Sequence, residues 1–313
     1  MKHMAGKGRR SSKIFISYKS ADRPIVEQIA SLLRRLYSEQ GVWFDKELIG
    51  GQKWWNEIVR QIASRDTFIY LISREAIESI YCRMELTEAW LRGKHIVPLK
   101  IRNAVVPPVI ASSFQTIEIS DFQPSAKDIV EIIASIFEPS SQDAAPPTSI
   151  WKSRNVKPIE HNCLRINMEV SSHIEPTHIN RSVCNTGIFL IRGDEISIHA
   201  SGRITIDSGQ TFMQPDGRYL DLPPDVVQYF QHPEAFSVKG HPAFPNQSIG
   251  VIGSLFGWIG DEGPDNGFFI GLNHRQIVHS SGFLHLAIND SKGAYADNSG
   301  VFEVTVDLRH PQE

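Results

Sequence analysis

Residues 67–101 read TFIYLISREAIESIYCRMELTEAWLRGKHIVPLKI, and this stretch decides the fold of the first half of the chain. Residues 67–72 and 95–101 are apolar almost throughout. Between them, residues 75–92 predict a single helix that Gly93 closes. Strands without polar alternation are buried on both faces, which points to a parallel sheet covered by helices. The pattern continues upstream with a strand at 13–18 (KIFISY) and a helix that Asp22 would cap, Pro24 being tolerated in its first turn. Ile25, Ile29, Leu32, Leu33 and Leu36 form that helix's apolar stripe. Gly41 leads into a second strand at 42–44, a loop with two glycines at 45–51, and a helix at 54–64. Downstream come a weaker strand at 116–119 and a helix at 126–137. Ligands of such sheets bind beyond the carboxyl ends of the strands, where Ser17, Tyr18, Lys19, Asp45 and Ser73 fall.

Within the helix expected at 75–92, Ser79, Cys82 and Glu85 recur at intervals of three and so share one face. A hydroxyl, a small thiol and one carboxylate leave room for a ligand and supply a single negative charge. That suits an enzyme that steadies a developing positive charge. The plainer reading of such a glutamate is a solvated surface charge. Cys82 has no neighbouring base in sequence to activate it as a nucleophile. Trp54 and Trp55 are adjacent, so a helix cannot turn both toward the core.

At 313 residues the chain exceeds one typical domain. Its apolar fraction of 41% and charged fraction of 21% are ordinary for a soluble globular protein. Three cysteines without CxxC spacing argue against a disulfide framework or a zinc site and fit a reducing, cytoplasmic setting. No apolar run has the length of a membrane span. Residues 1–12 are basic but lack an apolar core, which predicts a disordered leader rather than a secretory signal. Up to residue 138 there are 20 Lys and Arg against 16 Asp and Glu, and beyond it 12 against 19. Neither half is basic enough to argue for nucleic acid.

Residues 139–150 (PSSQDAAPPTSI) read as a linker. Short alternating runs then follow at 195–198, 202–206, 249–259, 283–288 and 301–306, with Gly, Asn, Asp and Pro between them. The pattern predicts an all-β sandwich or barrel. The loop INDSKGAYADNSG at 288–300 crowds oxygen donors between two of these runs. Asp290 and Asp297 offer carboxylates, Asn298 an amide oxygen and Ala294 a backbone carbonyl, a donor set that suits Ca2+. A simple hairpin loop accounts for the same composition.

The blocks FISYKSAD, VWFD, the GG loop before Trp54, FIYLIS, SIYCRMEL and IVPL, in this order, resemble the Toll/interleukin-1 receptor (TIR) domain over residues 13–138. The resemblance implies a flavodoxin-like, five-stranded parallel sheet. It is strongest to the bacterial branch, where S-x-x-C-x-x-E carries the glutamate of NAD+-cleaving members. By that resemblance Glu85 is catalytic, and Ser17, Tyr18, Lys19, Asp45, Gly51, Trp54, Ser79 and Cys82 border the substrate NAD+. It implies release of nicotinamide with ADP-ribose or a cyclic isomer, activity in self-assembled form, and a role in antiviral defence. Some members are scaffolds without catalysis, which keeps an adaptor role open. Residues 183–308, with GIFLIRGDEISIHASG, GSLFGWIG and DNSG, are similar to the PA-I-type galactophilic lectin, a β-sandwich that binds galactose through calcium. That resemblance places calcium on Asp290, Ala294, Asp297 and Asn298 and implies a galactose-like sugar as ligand. The domain would span 151–313. The segment expected to carry the sugar-contacting histidine matches poorly, His241-Pro242 being its nearest counterpart.

Overall fold

Parallel pairing follows directly from the apolar runs. In a computed structural model, β1 (Ile14–Ser17), α1 (Arg23–Tyr37), β2 (Val42–Phe44), α2 (Gln52–Ala63), β3 (Thr67–Ile72), α3 (Arg74–Glu78), α4 (Ile80–Leu91), β4 (His95–Ile101), β5 (Ile117–Ile119) and α5 (Ala126–Phe137) follow one another. The strands form one parallel sheet in the order β2-β1-β3-β4-β5, which is the flavodoxin-like order. The structure describes residues 13–37, 41–45, 52–101, 104–107, 110–111, 114–119, 124–137, 154–160, 162–176, 184–206, 212–218, 220, 252–261, 263, 267–290 and 293–311. The expected leader 1–12, the expected linker 139–150, Gly51 and His241-Pro242 lie outside the described residues. The chain divides into two compact units, Met1–Ala144 and Ala145–Glu313.

The period of two along a strand decides which residues each helical layer meets. Ile14, Ile16, Ile69 and Leu71 pack with Ile25, Val26, Ile29 and Leu33 of α1 and Ile132 and Ile136 of α5. Phe15 and Phe68 alternate with these, and their rings stack at 5.3 Å. Ser17, two residues beyond Phe15, therefore faces away from α1, toward the layer that contains α4. Eight of the twelve residues of α4 are buried, including Arg83 and Glu85. A helix enclosed to that extent belongs to the core rather than the surface.

One local expectation is corrected. The helix expected at 75–92 is broken at Ser79, whose backbone is extended (φ −72°, ψ 114°) between α3 and α4. Its hydroxyl accepts the Cys82 N–H as the cap of α4, an alternative that serine offers the backbone readily. Ser79 therefore does not project from the helix face with Cys82 and Glu85. Asp22 lies in a 3-10 turn (Ser20–Asp22), fully buried, and its carboxylate accepts the Ser73 hydroxyl at 2.5 Å. Burial beside a second loop, which no local pattern encodes, gives it a tertiary anchoring role.

The second unit is antiparallel. It comprises β6 (Asn155–Glu160), β7 (Cys163–Ser171), β8 (Asn185–Leu190), β9 (Glu195–Thr205), β10 (Phe212–Met213), β11 (Leu255–Ile259), β12 (Phe268–Phe269), β13 (Asn273–Ile277), β14 (Gly282–Ile288) and β15 (Ser299–Arg309). One sheet runs β10-β9-β15-β7-β6 with β13 also on β9, and the other runs β12-β11-β14-β8. Two such sheets are consistent with a β-sandwich. Alternation is plain in β15, where Phe302, Val304, Val306 and Leu308 are buried between exposed or half-buried neighbours. The separate runs expected at 195–198 and 202–206 are one strand, β9, because Gly202 passes through at φ 97° without ending the pairing to β15. Residues 155–171 supply β6 and β7, and β7 pairs with β15 from Val301 to Arg309.

Gly300 has φ 97°, and a Cβ there would stand 2.7 Å from the Arg203 carbonyl oxygen. Gly300→Ala is expected to lose about 1–3 kcal/mol. Gly193→Ala, at φ 96° with open space around it, should lose less. Thermal melts of both variants against the parent measure the difference, and equal losses would remove the steric explanation.

Candidate functional site

The site in the first unit is assembled at the carboxyl ends of β1 and β2 and on the second turn of α4. Ser17 closes β1, and its hydroxyl donates to Glu85 Oε2 at 2.6 Å. Both side chains are buried, Ser17 at 1% and Glu85 at 8% exposure. Tyr18, on the opposite side of the strand, packs with the α1 layer and donates its hydroxyl to the Asp45 carbonyl, tying the tips of β1 and β2. The Cys82 thiol donates to the Tyr18 carbonyl at 3.4 Å. Lys19 is half-buried and precedes the 3-10 turn, whose Asp22 N–H returns to the Lys19 carbonyl at 2.8 Å. Ser17, Tyr18, Asp45, Cys82 and Glu85 are thus joined by contacts, with Ser79 one cap away.

Electrostatics separate the two ionisable groups on α4. Burial, with a smaller push from the Asp45 carboxylate, raises Glu85 to about 8 against the opposing effect of the Ser17 hydrogen bond. Among the described residues no Lys or Arg pairs with it. Burial and the nearby Glu85 carboxyl raise Cys82 to about 12, so it is held as a thiol, which weighs against a nucleophilic role.

The adjacent tryptophans divide as helix geometry requires. Trp55 is 1% exposed, whereas Trp54 is half-buried and meets Tyr81 edge-on, with ring centroids 4.9 Å apart. Tyr81 lies one turn before Glu85 on α4 and escaped the sequence reading. Its i, i+4 spacing to Glu85 is the signal that could have found it.

In the second unit, the loop after β14 brings Asp290 and Asn298 together. Asn298 Nδ2 donates to Asp290 Oδ2 and to the Ser172 carbonyl, both at 2.9 Å. Asn298 is 7% exposed, and its Oδ1 is buried without a hydrogen-bond partner among the described residues. The Tyr295 hydroxyl accepts the Asp290 N–H at 3.0 Å and donates to the Ile288 carbonyl at 2.9 Å. Ala294 is half-buried and Asp297 exposed. No group of three His, Cys, Asp or Glu side chains is placed to hold a metal among the described residues. The loop instead brings one carboxylate, Asp290, beside one amide, Asn298. An orphaned buried amide oxygen beside a carboxylate fits a hard cation. A surface groove of about 390 Å3, lined by Asn167, Glu169, His199 and Glu303 among others, lies across β7, β9 and β15 and includes neither site. No helix among the described residues is long and apolar enough to cross a membrane.

Residues 14–133 match the family model described as the TIR domain, so the chain carries an N-terminal TIR-family domain. No curated protein matches the chain. Among solved structures, the chain is weakly similar to the EclA N-terminal domain, a PllA-like lectin, at 25% identity and a TM-score of 0.31, covering 48% of this chain and 100% of that one. It is also weakly similar to the Clostridium botulinum CMP N-glycosidase BcmB at 16% identity and a TM-score of 0.30, covering 39% of this chain and 97% of that one.

The raised Glu85 pKa has a consequence for stability. Between about 4.5 and about 8 the folded chain keeps a proton that the unfolded chain has released, so this group's contribution falls as pH rises through that window. Glu85→Gln, which keeps an oxygen for Ser17, should match the parent below pH 4.5 and become more stable than it toward pH 8. The gap is bounded by about 1.4 kcal/mol per pH unit. Denaturant melts at pH 5, 7 and 9 measure it, and a gap that does not widen with pH would refute the uncompensated carboxyl.

Proposed function

We propose that the first unit cleaves the nicotinamide–ribose bond of NAD+, with Glu85 stabilising the ribosyl cation. One observation carries this reading. Glu85 is buried at the strand tips beside a hydroxyl, and among the described residues no Lys or Arg pairs with it. A carboxylate in that position would welcome a positive charge, and a pyridinium nucleotide brings one. Entry of the cation favours the ionised carboxylate, so the proton that Glu85 holds below about pH 8 leaves to solvent.

Nicotinamide then departs as a neutral molecule, taking the bonding pair, and the positive charge passes to the ribose carbon and ring oxygen. The Glu85 carboxylate, oriented by Ser17, faces that charge in a site of low dielectric. Water attack completes hydrolysis to ADP-ribose, nicotinamide and a proton. Attack by the adenine portion of the same molecule gives a cyclic isomer instead. Lys19 would meet the diphosphate, Asp45 and Gly51 would border the nucleotide, and Trp54 with Tyr81 would cover it. Ser79 and Cys82 leave space beside the carboxylate. Self-association through the first unit would complete the site, and NAD+ loss or a nucleotide signal would serve antiviral defence. Sensing falls to the second unit, read as a calcium-dependent lectin-like domain for a galactose-like sugar. In it Asp290, Asn298 and the carbonyl of Ala294, with Asp297, would hold Ca2+, which neutralises Asp290 and takes up the orphaned Asn298 oxygen.

Incubation of the purified chain with NAD+ is expected to release nicotinamide. Glu85→Gln should lower kcat by about 10²–10³. The parent's kcat/KM should rise with pH, pass half its maximum near pH 8 and level off above that, because the free enzyme must ionise Glu85. No release by the parent under any assembling condition favours the adaptor reading. For the second unit, calorimetry with Ca2+ should give binding heat for the parent and none for Asp290→Ala. Equal, negligible heats would end the cation reading.

A further inference from the structure

The segment that follows β7 touches the oxygen-rich loop at two places. Ser172 accepts Asn298 Nδ2 through its carbonyl, and Glu175 Oε1 accepts the Gly293 N–H at 3.3 Å. Ile174 between them packs against the core cluster of Cys184, Phe256, Trp258 and Ala287, which fixes the segment over the loop. Glu175 is half-buried, and its second carboxylate oxygen has no partner among the described residues. We propose that Glu175 supplies a second carboxylate to the cation site of this loop, reaching it from 118 residues away in sequence. The assignment rests on the reading that the loop binds a hard cation.

Charge supports it. A divalent cation seeks six to eight oxygens and is only half neutralised by one carboxylate. Asp290 is the one buried carboxylate that the loop's described residues provide, and one of its oxygens already accepts from Asn298. Asp297 is exposed. The position of Glu175 also fits. Glu175 meets the loop at Gly293, three residues after Asp290, and the Tyr295 hydroxyl ties the same loop back to Asp290 and Ile288. A cation between the two carboxylates would clamp the connection after β7 onto the connection between β14 and β15. Cation binding would then order two segments rather than one.

The test is Ca2+ calorimetry on the full chain and on Glu175→Gln, with melting temperatures of both in chelator. Glutamine keeps an oxygen for the Gly293 N–H and removes only the charge. A Kd weakened by about 10-fold or more, with an unchanged melting temperature in chelator, is the expected result. A Kd within about twofold of the parent overturns the role of Glu175 and leaves the cation reading standing. Absence of binding by the parent overturns that reading itself, and the assignment with it. If the glutamine variant fails to fold, Glu175→Asp, which keeps the charge but withdraws it by one methylene, replaces it under the same two criteria.

Discussion

Burying a carboxyl group is costly, and the first unit does so at the place where a parallel sheet presents its strand tips, with no Lys or Arg against it among the described residues. The hydrogen bond from Ser17 to Glu85 offsets only part of that cost, since Glu85 stays well above the usual carboxylate range. Other features of the site follow from holding this group in place. Strand parity turns Ser17 toward α4, Ser79 starts α4 at the register that brings Glu85 over β1, and Cys82 pins the same helix to the Tyr18 carbonyl. Tyr18 then ties the tip of β1 to that of β2. A carboxyl group with no Lys or Arg beside it among the described residues gains little stability from such burial.

In the second unit the corresponding constraint is the long pairing of β7, β15 and β9. It positions the loop before β15 and the segment after β7 next to one another. Hydrogen bonds inside the loop are spent on holding it: the Tyr295 hydroxyl spans Ile288 and Asp290, and the Asn298 amide nitrogen spans Asp290 and Ser172. The Asn298 oxygen is buried with no partner among the described residues, where an unmet acceptor costs about 1–3 kcal/mol.

The two units differ in how readily local pattern exposed them. Apolar runs such as 67–72 and 95–101 became β3 and β4 at the expected bounds, because a strand buried on both faces needs no partner information to be seen. The helix at 75–92 was less legible. Its break depends on Ser79 choosing to cap rather than to continue, a choice within about 1 kcal/mol of the alternative until the fold packs around it. Residues 155–171, silent as a motif, became two strands once β15 offered an edge for β7. Trp54 and Trp55 were known to diverge, but which one enters the core depends on where Tyr81 stands.

Periodicity and residue type by themselves determined a five-stranded parallel sheet in the first half and an all-β unit in the second. These follow from the burial of apolar side chains at fixed spacing, which is a local property of the chain. Only the tertiary structure decided that Ser17 bonds Glu85 across 68 residues, that Asp22 anchors Ser73, and that Glu175 reaches the loop of Asp290. Such contacts join polar groups whose burial is set by distant elements, and a polar side chain carries no periodic signal of the partner it will meet.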